Sequence, residues 1–348
     1  MNPGKLAIIS SGETSPTGGT LFRKITAGLP RGFRIALVET PAGFEPNSAQ
    51  VARRVADALQ LRLAEAKPEI DVVPARRKGT AFSPDAPEVV RPIQRADVIY
   101  LGAGSPTYAV RQLRGSLAWE EILAAWQQGA LLVLASAAAV AVGTFTLPVY
   151  EIFKAGEDPE WKPGLDLLAP LGWKLAIVSH WNNAEGGEEL DTSRCFIGRE
   201  RFAALVPHLP PDTVIFGLDE HTAAILDWET GTCAVEGKGT ITIRRAGREK
   251  IAAAGDRFPL SDLGRFEVPP DPFGIGAAVW EEVRRARSGG GSIPNPPVEV
   301  LSLLSERNRH RGNGEFAKAD GIRAEIENLG WQVMDTPEGP KLRPKSGG

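Results

Sequence analysis

One hydroxyl interrupts the apolar run Leu131-Leu-Val-Leu-Ala-Ser-Ala-Ala-Ala-Val-Ala-Val-Gly143. A run of that length reads as a buried parallel strand passing directly into a helix, with Ser136 on the sharp turn between them. Strand, tight turn and helix are the layout of a nucleophile elbow, which exposes one reactive side chain at the rim of a sheet. The usual elbow reads Gly-x-Ser-x-Gly; here alanines replace both glycines, so small side chains survive at the flanks. The same pattern also fits a serine that caps the following helix. The local sequence leaves both readings open.

In an open parallel sheet, ligands bind at the carboxyl ends of the strands. Those ends carry Glu13, Glu39, the Gly102–Thr107 loop, Ser136 and the run His180-Trp-Asn-Asn183. Glu13, Asn182 and Asn183 are therefore candidates for binding a substrate. Glycines at 102 and 104 allow close backbone approach and can aim N–H groups at developing negative charge. Acyl transfer needs two such donors, and the N–H groups of Gly104 and Ala137 would supply them. The spacing lacks the third glycine of a dinucleotide fingerprint, so no cofactor is implied.

The elements needed to hold these groups alternate along the chain. Strands are expected over residues 5–11, 33–39, 70–73, 98–101 and 174–178, with helices over 47–64 and 117–128. That alternation predicts an α/β fold of three layers around a doubly wound, mostly parallel sheet. From Thr213 the segments 214–218, 223–226 and 240–244 shorten between Gly-rich turns, which suggests an antiparallel edge. A first domain over 1–285 would be followed by a Gly/Pro linker at 286–297. Residues 298–345 would form a small C-terminal module, a helical hairpin and a β-hairpin turning at Pro337-Glu338-Gly339.

Of the 348 residues, 42% are hydrophobic and 24% charged, and the net charge is −3. This balance argues against a general attraction for nucleic acid or anionic membrane. No apolar run approaches the roughly 18 residues that span a bilayer. The short polar start before Lys5 is unlike a signal peptide, and two cysteines make no disulfide framework; a cytoplasmic setting is expected. His180, Glu185, Asp191 and Cys195 are metal-binding in type, but their spacing matches no ligand pattern, so no metal is expected.

Four ordered blocks carry a resemblance. They are Ile99-Tyr-Leu-Gly-Ala-Gly-Ser-Pro-Thr107, Leu134-Ala-Ser-Ala-Ala-Ala139, Asp191-Thr-Ser-Arg-Cys-Phe-Ile-Gly-Arg-Glu-Arg-Phe202 and Gly217-Leu-Asp-Glu-His-Thr-Ala223. Over about the first 245 residues the chain resembles the cyanophycinase and peptidase E (aspartyl dipeptidase) serine hydrolases, which have a class I glutamine-amidotransferase-like fold. The resemblance implies that Ser136 attacks a carbonyl, that the Gly102–Gly104 loop helps form an oxyanion hole and that Glu220 orients the base. It implies a small peptide or amide substrate.

The resemblance departs at the base. Cys195 stands where that family has a histidine before its Arg-x-Arg segment. Three readings follow: His180 takes over as base, in preference to His208 or His221; Cys195 is itself the nucleophile; or the site binds a ligand without hydrolysing it. The tail also resembles something. Phe316 to Gly339 is similar to the extreme C-terminus of cysteinyl-tRNA synthetases, although the chain has no synthetase catalytic motif. Residues 301–348 hold eight Lys/Arg against seven Asp/Glu. That near balance favours packing or partner docking over RNA binding, with a tRNA- or synthetase-associated adaptor as the third functional class. A homo-oligomer is left open.

Overall fold

The computed structural model describes residues 3–269, 271–289, 294–336 and 339–345. Five short segments pair in parallel: β1 (Leu6–Ile9), β2 (Arg34–Val38), β3 (Glu69–Val73), β4 (Val98–Leu101) and β5 (Leu131–Ala135), in the order β1-β5-β4-β2-β3. Alternate residues of β1, β4 and β5 enter two different cores. Leu6, Ile8, Ile99, Leu101, Leu132 and Leu134 join one. Ala7, Ile9, Val98, Tyr100, Val133 and Ala135 join the other. Helices Pro16–Ile25 and Ser48–Arg62 send Leu21, Phe22, Ala52 and Leu59 to the second face, and helix Leu117–Gln127 sends Ile122 and Trp126 to the first. Burial on both faces is why these strands read as unbroken apolar runs rather than alternating ones.

The remaining strands form more than an antiparallel edge. They are β6 (Phe145–Thr146), β7 (Lys162–Pro163), β8 (Leu175–Val178), β9 (Val214–Leu218), β10 (Thr222–Asp227), β11 (Thr232–Gly237), β12 (Thr240–Arg245), β13 (Arg248–Ala253) and β14 (Arg257–Pro259). Strands β10, β11 and β14 extend the first sheet in antiparallel fashion beyond β1. The others make a second sheet, ordered β13-β12-β9-β8-β6-β7. Strand β9, expected to be antiparallel, lies parallel to β8 and antiparallel to β12. Its five residues are all buried, which is the pattern of a strand covered on both sides. The chain crosses between sheets over Asp219–His221, where His221 takes φ 57°. The fold is thus α/β, with a parallel five-stranded core inside mixed sheets and a C-terminal helical module.

That module comprises helices Val298–Gly312 and Phe316–Asn328 and the paired strands Trp331–Thr336 and Gly339–Pro344. Pro337 and Glu338 of the expected turn lie outside the described residues, as do 290–293 of the expected linker. Helix Ala277–Arg287, which the sequence reading did not foresee, runs into the start of that linker. Val300, Leu301, Leu304, Ile322, Ile326 and Trp331 belong to the same apolar cluster as one face of the first sheet. The fully buried Arg307 reaches Asp335 through two bonds, Nη1–Oδ1 at 3.0 Å and Nη2–Oδ2 at 2.7 Å. The forked pair serves both Nη groups of a guanidinium whose burial would otherwise be costlier still, while its buried Nε has no hydrogen-bond partner among the described residues.

Helix Ala277–Arg287 packs beside a buried carboxyl. Glu121, 1% exposed, accepts a hydrogen bond from Gln94 Nε2 at 2.8 Å, and that same amide donates to Glu282 at 3.2 Å. Burial raises the Glu121 pKa from 4.5 to about 8, with the Glu282 charge adding to the rise against the bond from Gln94. The folded state therefore holds a proton that the unfolded chain releases. The protonated side chain stabilises the fold fully below the unfolded value, and that stability drains away as pH rises through about 8. Glu121→Gln should remove this slope, so its gain in Tm over the parent should grow across that interval in pH-resolved thermal melts.

Candidate active site

Strand β5 ends one residue before Ser136, whose backbone turns to φ 51°, ψ −115° before helix Ala137–Ala141 begins. A non-glycine residue in that region is strained by about 1–3 kcal/mol, so surrounding structure must hold it there. The Ser136 N–H donates to the Ile9 carbonyl at 2.9 Å and the Ala138 N–H to the Gly102 carbonyl at 3.3 Å, locking the turn to β1 and to the loop after β4. The side chain does not cap the helix. It points instead to His180, with Oγ 2.8 Å from Nε2.

His180 follows β8 and is also left-handed, at φ 53°. Its N–H donates to Ser10 Oγ at 2.7 Å, and that hydroxyl donates to the Leu218 carbonyl at 3.0 Å, tying β1, β8 and β9 together at their ends. The ring's other nitrogen, Nδ1, lies 2.8 Å from Glu220 Oε1. A carboxylate only accepts, so Nδ1 carries the proton and the Nε2 lone pair faces the Ser136 hydroxyl.

Glu220 is held from all sides. Asn183 Nδ2 donates to Oε1 at 2.9 Å, Ser11 Oγ donates to Oε2, and the Glu220 N–H donates to Asn182 Oδ1 at 2.7 Å. Burial alone would push its pKa up. The bond and charge of His180, with the bonds from Asn183 and Ser11, outweigh that and bring it down to about 2. The carboxylate is therefore charged throughout the neutral range.

The residues of the two expected oxyanion donors line one cavity. Gly104 and Ala137 both line the cavity that opens on Ser136 and His180, of about 500 Å³. Among the described residues, neither N–H donates to a protein acceptor. Gly104 has φ 146°, and a Cβ there would fall 2.0 Å from the Pro41 carbonyl oxygen, so only glycine fits. Gly102 acts one step back, its carbonyl receiving Ala138 while its α-carbon lies against the Tyr100 hydroxyl.

Other candidates lie apart from the cavity. Glu13 accepts from the Tyr100 hydroxyl at 3.4 Å and does not line the cavity. Glu39 is buried against Arg76, with Nε donating to Oε2 at 2.6 Å. Asn182 and Asn183 spend their side chains on Glu220 rather than on the cavity. His208 is exposed, and His221 Nδ1 is buried next to Gly12 without a partner. Among the described residues, no group of three or more His, Cys, Asp and Glu side chains could hold a metal ion.

Cys195 does line the cavity, but as a buried thiol. Burial, with the nearby Glu220 charge, pushes its pKa up to about 12. Arg194, Cys195 and Phe196 form a left-handed turn with φ of 57°, 61° and 68°. Its N–H groups donate to the Trp181 and His180 carbonyls at 3.0 and 3.1 Å, so this loop steadies the backbone that carries His180. Sequence reasoning passed over Ser10 and Ser11. Their signal was two adjacent hydroxyls closing the buried β1 run.

No protein-family model matches the chain. Among solved structures, a peptidase from an acI-B1 Actinobacterium is similar with a TM-score of 0.58 at 22% identity, covering 74% of this chain and 97% of that one. At that identity the likeness is one of fold. Partial sequence matches are with cysteine–tRNA ligases. Cysteine–tRNA ligase 1 of Burkholderia lata is 36% identical over 94 residues, 24% of this chain and 18% of that protein. The ligase of Salinibacter ruber is 53% identical over 40 residues, 12% of this chain and 8% of that protein. The chain spans less than a fifth of the length of either ligase. The molecule is thus similar in fold to a peptidase and, over a short stretch, similar in sequence to the C-terminal region of cysteine–tRNA ligases.

Proposed function

We propose that the chain is a serine hydrolase of peptide or amide bonds, of the cyanophycinase and peptidase E type with a class I glutamine-amidotransferase-like core. The observation that carries this reading is the unbroken relay from Ser136 Oγ to His180 Nε2 and from His180 Nδ1 to Glu220, each step at 2.8 Å. Nucleophile, base and orienting acid within hydrogen-bond reach are the arrangement that nucleophilic catalysis requires. Ser136 Oγ attacks the carbonyl carbon as its proton passes to His180 Nε2. The Gly104 and Ala137 N–H groups receive the developing oxyanion. His180 then protonates the departing amine; water, deprotonated by the same nitrogen, attacks the acyl carbon, and the bond to Ser136 Oγ breaks as that proton passes back to Oγ and the acid leaves. Glu220 stabilises the imidazolium between these steps.

Among the described residues, none lining the cavity lies beyond Phe196, so the C-terminal module is not part of the cavity wall. A fluorophosphonate should form one covalent adduct, located on Ser136 by mass spectrometry and absent from Ser136→Ala. A folded parent protein that takes up no label at Ser136 would refute the reading.

A further inference from the structure

The wall of the Ser136 cavity is aromatic and aliphatic beyond what holding a relay needs. Phe196 packs at a tilt against His180 with ring centroids 5.6 Å apart, and Phe153 packs at a tilt against Phe196 at 5.7 Å. Val149, Tyr150 and Leu190 continue that wall outward. Phe44 meets Tyr150 edge-on at 6.1 Å, extending the apolar strip onto the surface. Phe44, Tyr150 and Leu190 are 40–46% exposed, an unusual gathering of large apolar side chains around one opening.

Charge is sparse by comparison. The Lys, Arg, Asp and Glu side chains lining the cavity among the described residues are Lys154 and Glu185, both exposed and opposite in sign. The Lys154 ammonium lies over the Phe153 ring, 4.6 Å from its centroid. Among the described residues, no buried Lys or Arg lines the cavity to receive a carboxylate. An ionised side chain entering there would lose water without gaining a fixed partner, whereas a phenyl or isobutyl group would trade water for aromatic contact. The volume of about 500 Å³ admits a group of that size together with the scissile amide.

We propose that the substrate presents an aromatic or large aliphatic group beside the scissile bond, in preference to an acidic or basic one. This specificity rests on the hydrolase reading above, with Tyr150, Phe153, Leu190 and Phe196 as its determinants.

The test pairs turnover with binding. Wild-type protein is assayed with N-acetyl p-nitrophenyl esters of phenylalanine, leucine, aspartate and arginine. Ser136→Ala is titrated calorimetrically with the matching N-acetyl amino-acid amides. The apolar compounds should lead the charged ones by about tenfold or more in kcat/KM and in affinity. Tyr150→Asp and Leu190→Glu, both at largely exposed positions, should shrink that ratio while thermal melts verify that they fold. An aspartyl or arginyl compound equal to or better than the phenylalanyl one in either assay overturns the specificity, as does failure of all four to bind or turn over. Apolar preference in binding without Ser136-dependent turnover would sink the hydrolase reading and leave the specificity standing.

Discussion

Replacing His180 by alanine should slow fluorophosphonate labelling of Ser136 by on the order of 10⁴-fold, because removing one member of such a relay removes most of its effect. Labelling rate is the right measure, since it reports activation of the hydroxyl whatever the natural substrate is. Among the described residues, the basic group bonded to Ser136 Oγ is His180 Nε2, at 2.8 Å. The rival base or nucleophile is Cys195. Burial pushes that thiol up to about 12, so its resting form is the neutral thiol, a weak base and a weak nucleophile. Cys195→Ser should therefore not share the loss seen in His180→Ala. Equal losses in the two variants would return the chemistry to the thiol.

Legibility in the sequence followed the range of the interaction. The passage from β5 to the helix after Ser136 is written locally, as an apolar run with a small-residue turn, and so is the end of β8 at His180. What the Ser136 side chain does is not local: cap and elbow share the same letters, and only the position of β8 relative to β5 decides between them. The same limit explains Asn182 and Asn183. Their type and place at a strand end marked them as polar groups of the site, but their turn toward Glu220 depends on the crossing at Asp219–His221. Ser10 and Ser11 were hidden for a related reason. A hydroxyl closing a buried strand is common, and its meaning arises from the ends of β8 and β9 arriving beside it.

Sheet membership was the least legible feature. The runs at 214–218 and 222–227 are separated by three residues, yet they enter different sheets. Strand patterning fixes which faces are buried but not which neighbour is chosen, because pairing is set by contacts distant along the chain. Gly217 shows how specific those contacts are. A Cβ there would lie 2.5 Å from the Trp181 ring, so the glycine lets that indole pack across β9 beside His180.

Glu220→Gln should cost on the order of 10³–10⁴ in the Ser136 labelling rate, close to the loss from His180→Ala, although no reacting atom is touched. The amide is nearly the same size and can keep a contact with His180 Nδ1, but it can donate as well as accept. A donated bond would leave Nδ1 unprotonated and move the proton to Nε2, facing Ser136 with N–H instead of a lone pair. The charge that stabilises the imidazolium would be lost too. Glu220→Asp keeps the charge on a shorter arm and should recover part of the rate, which a merely space-filling role would not produce. Stability supplies an independent check. The Glu220 pKa falls from 4.5 unfolded to about 2 folded, so its charge stabilises the fold above the unfolded value, and that contribution vanishes as pH falls through about 2. Glu220→Gln should accordingly melt below the parent at neutral pH, with the gap narrowing in acid. The donors behind the carboxylate make the same argument in smaller steps. Ser11→Ala and Asn183→Ala each remove one bond that favours the charged form, so each should raise the Glu220 pKa and move the acid limb of the stability profile upward.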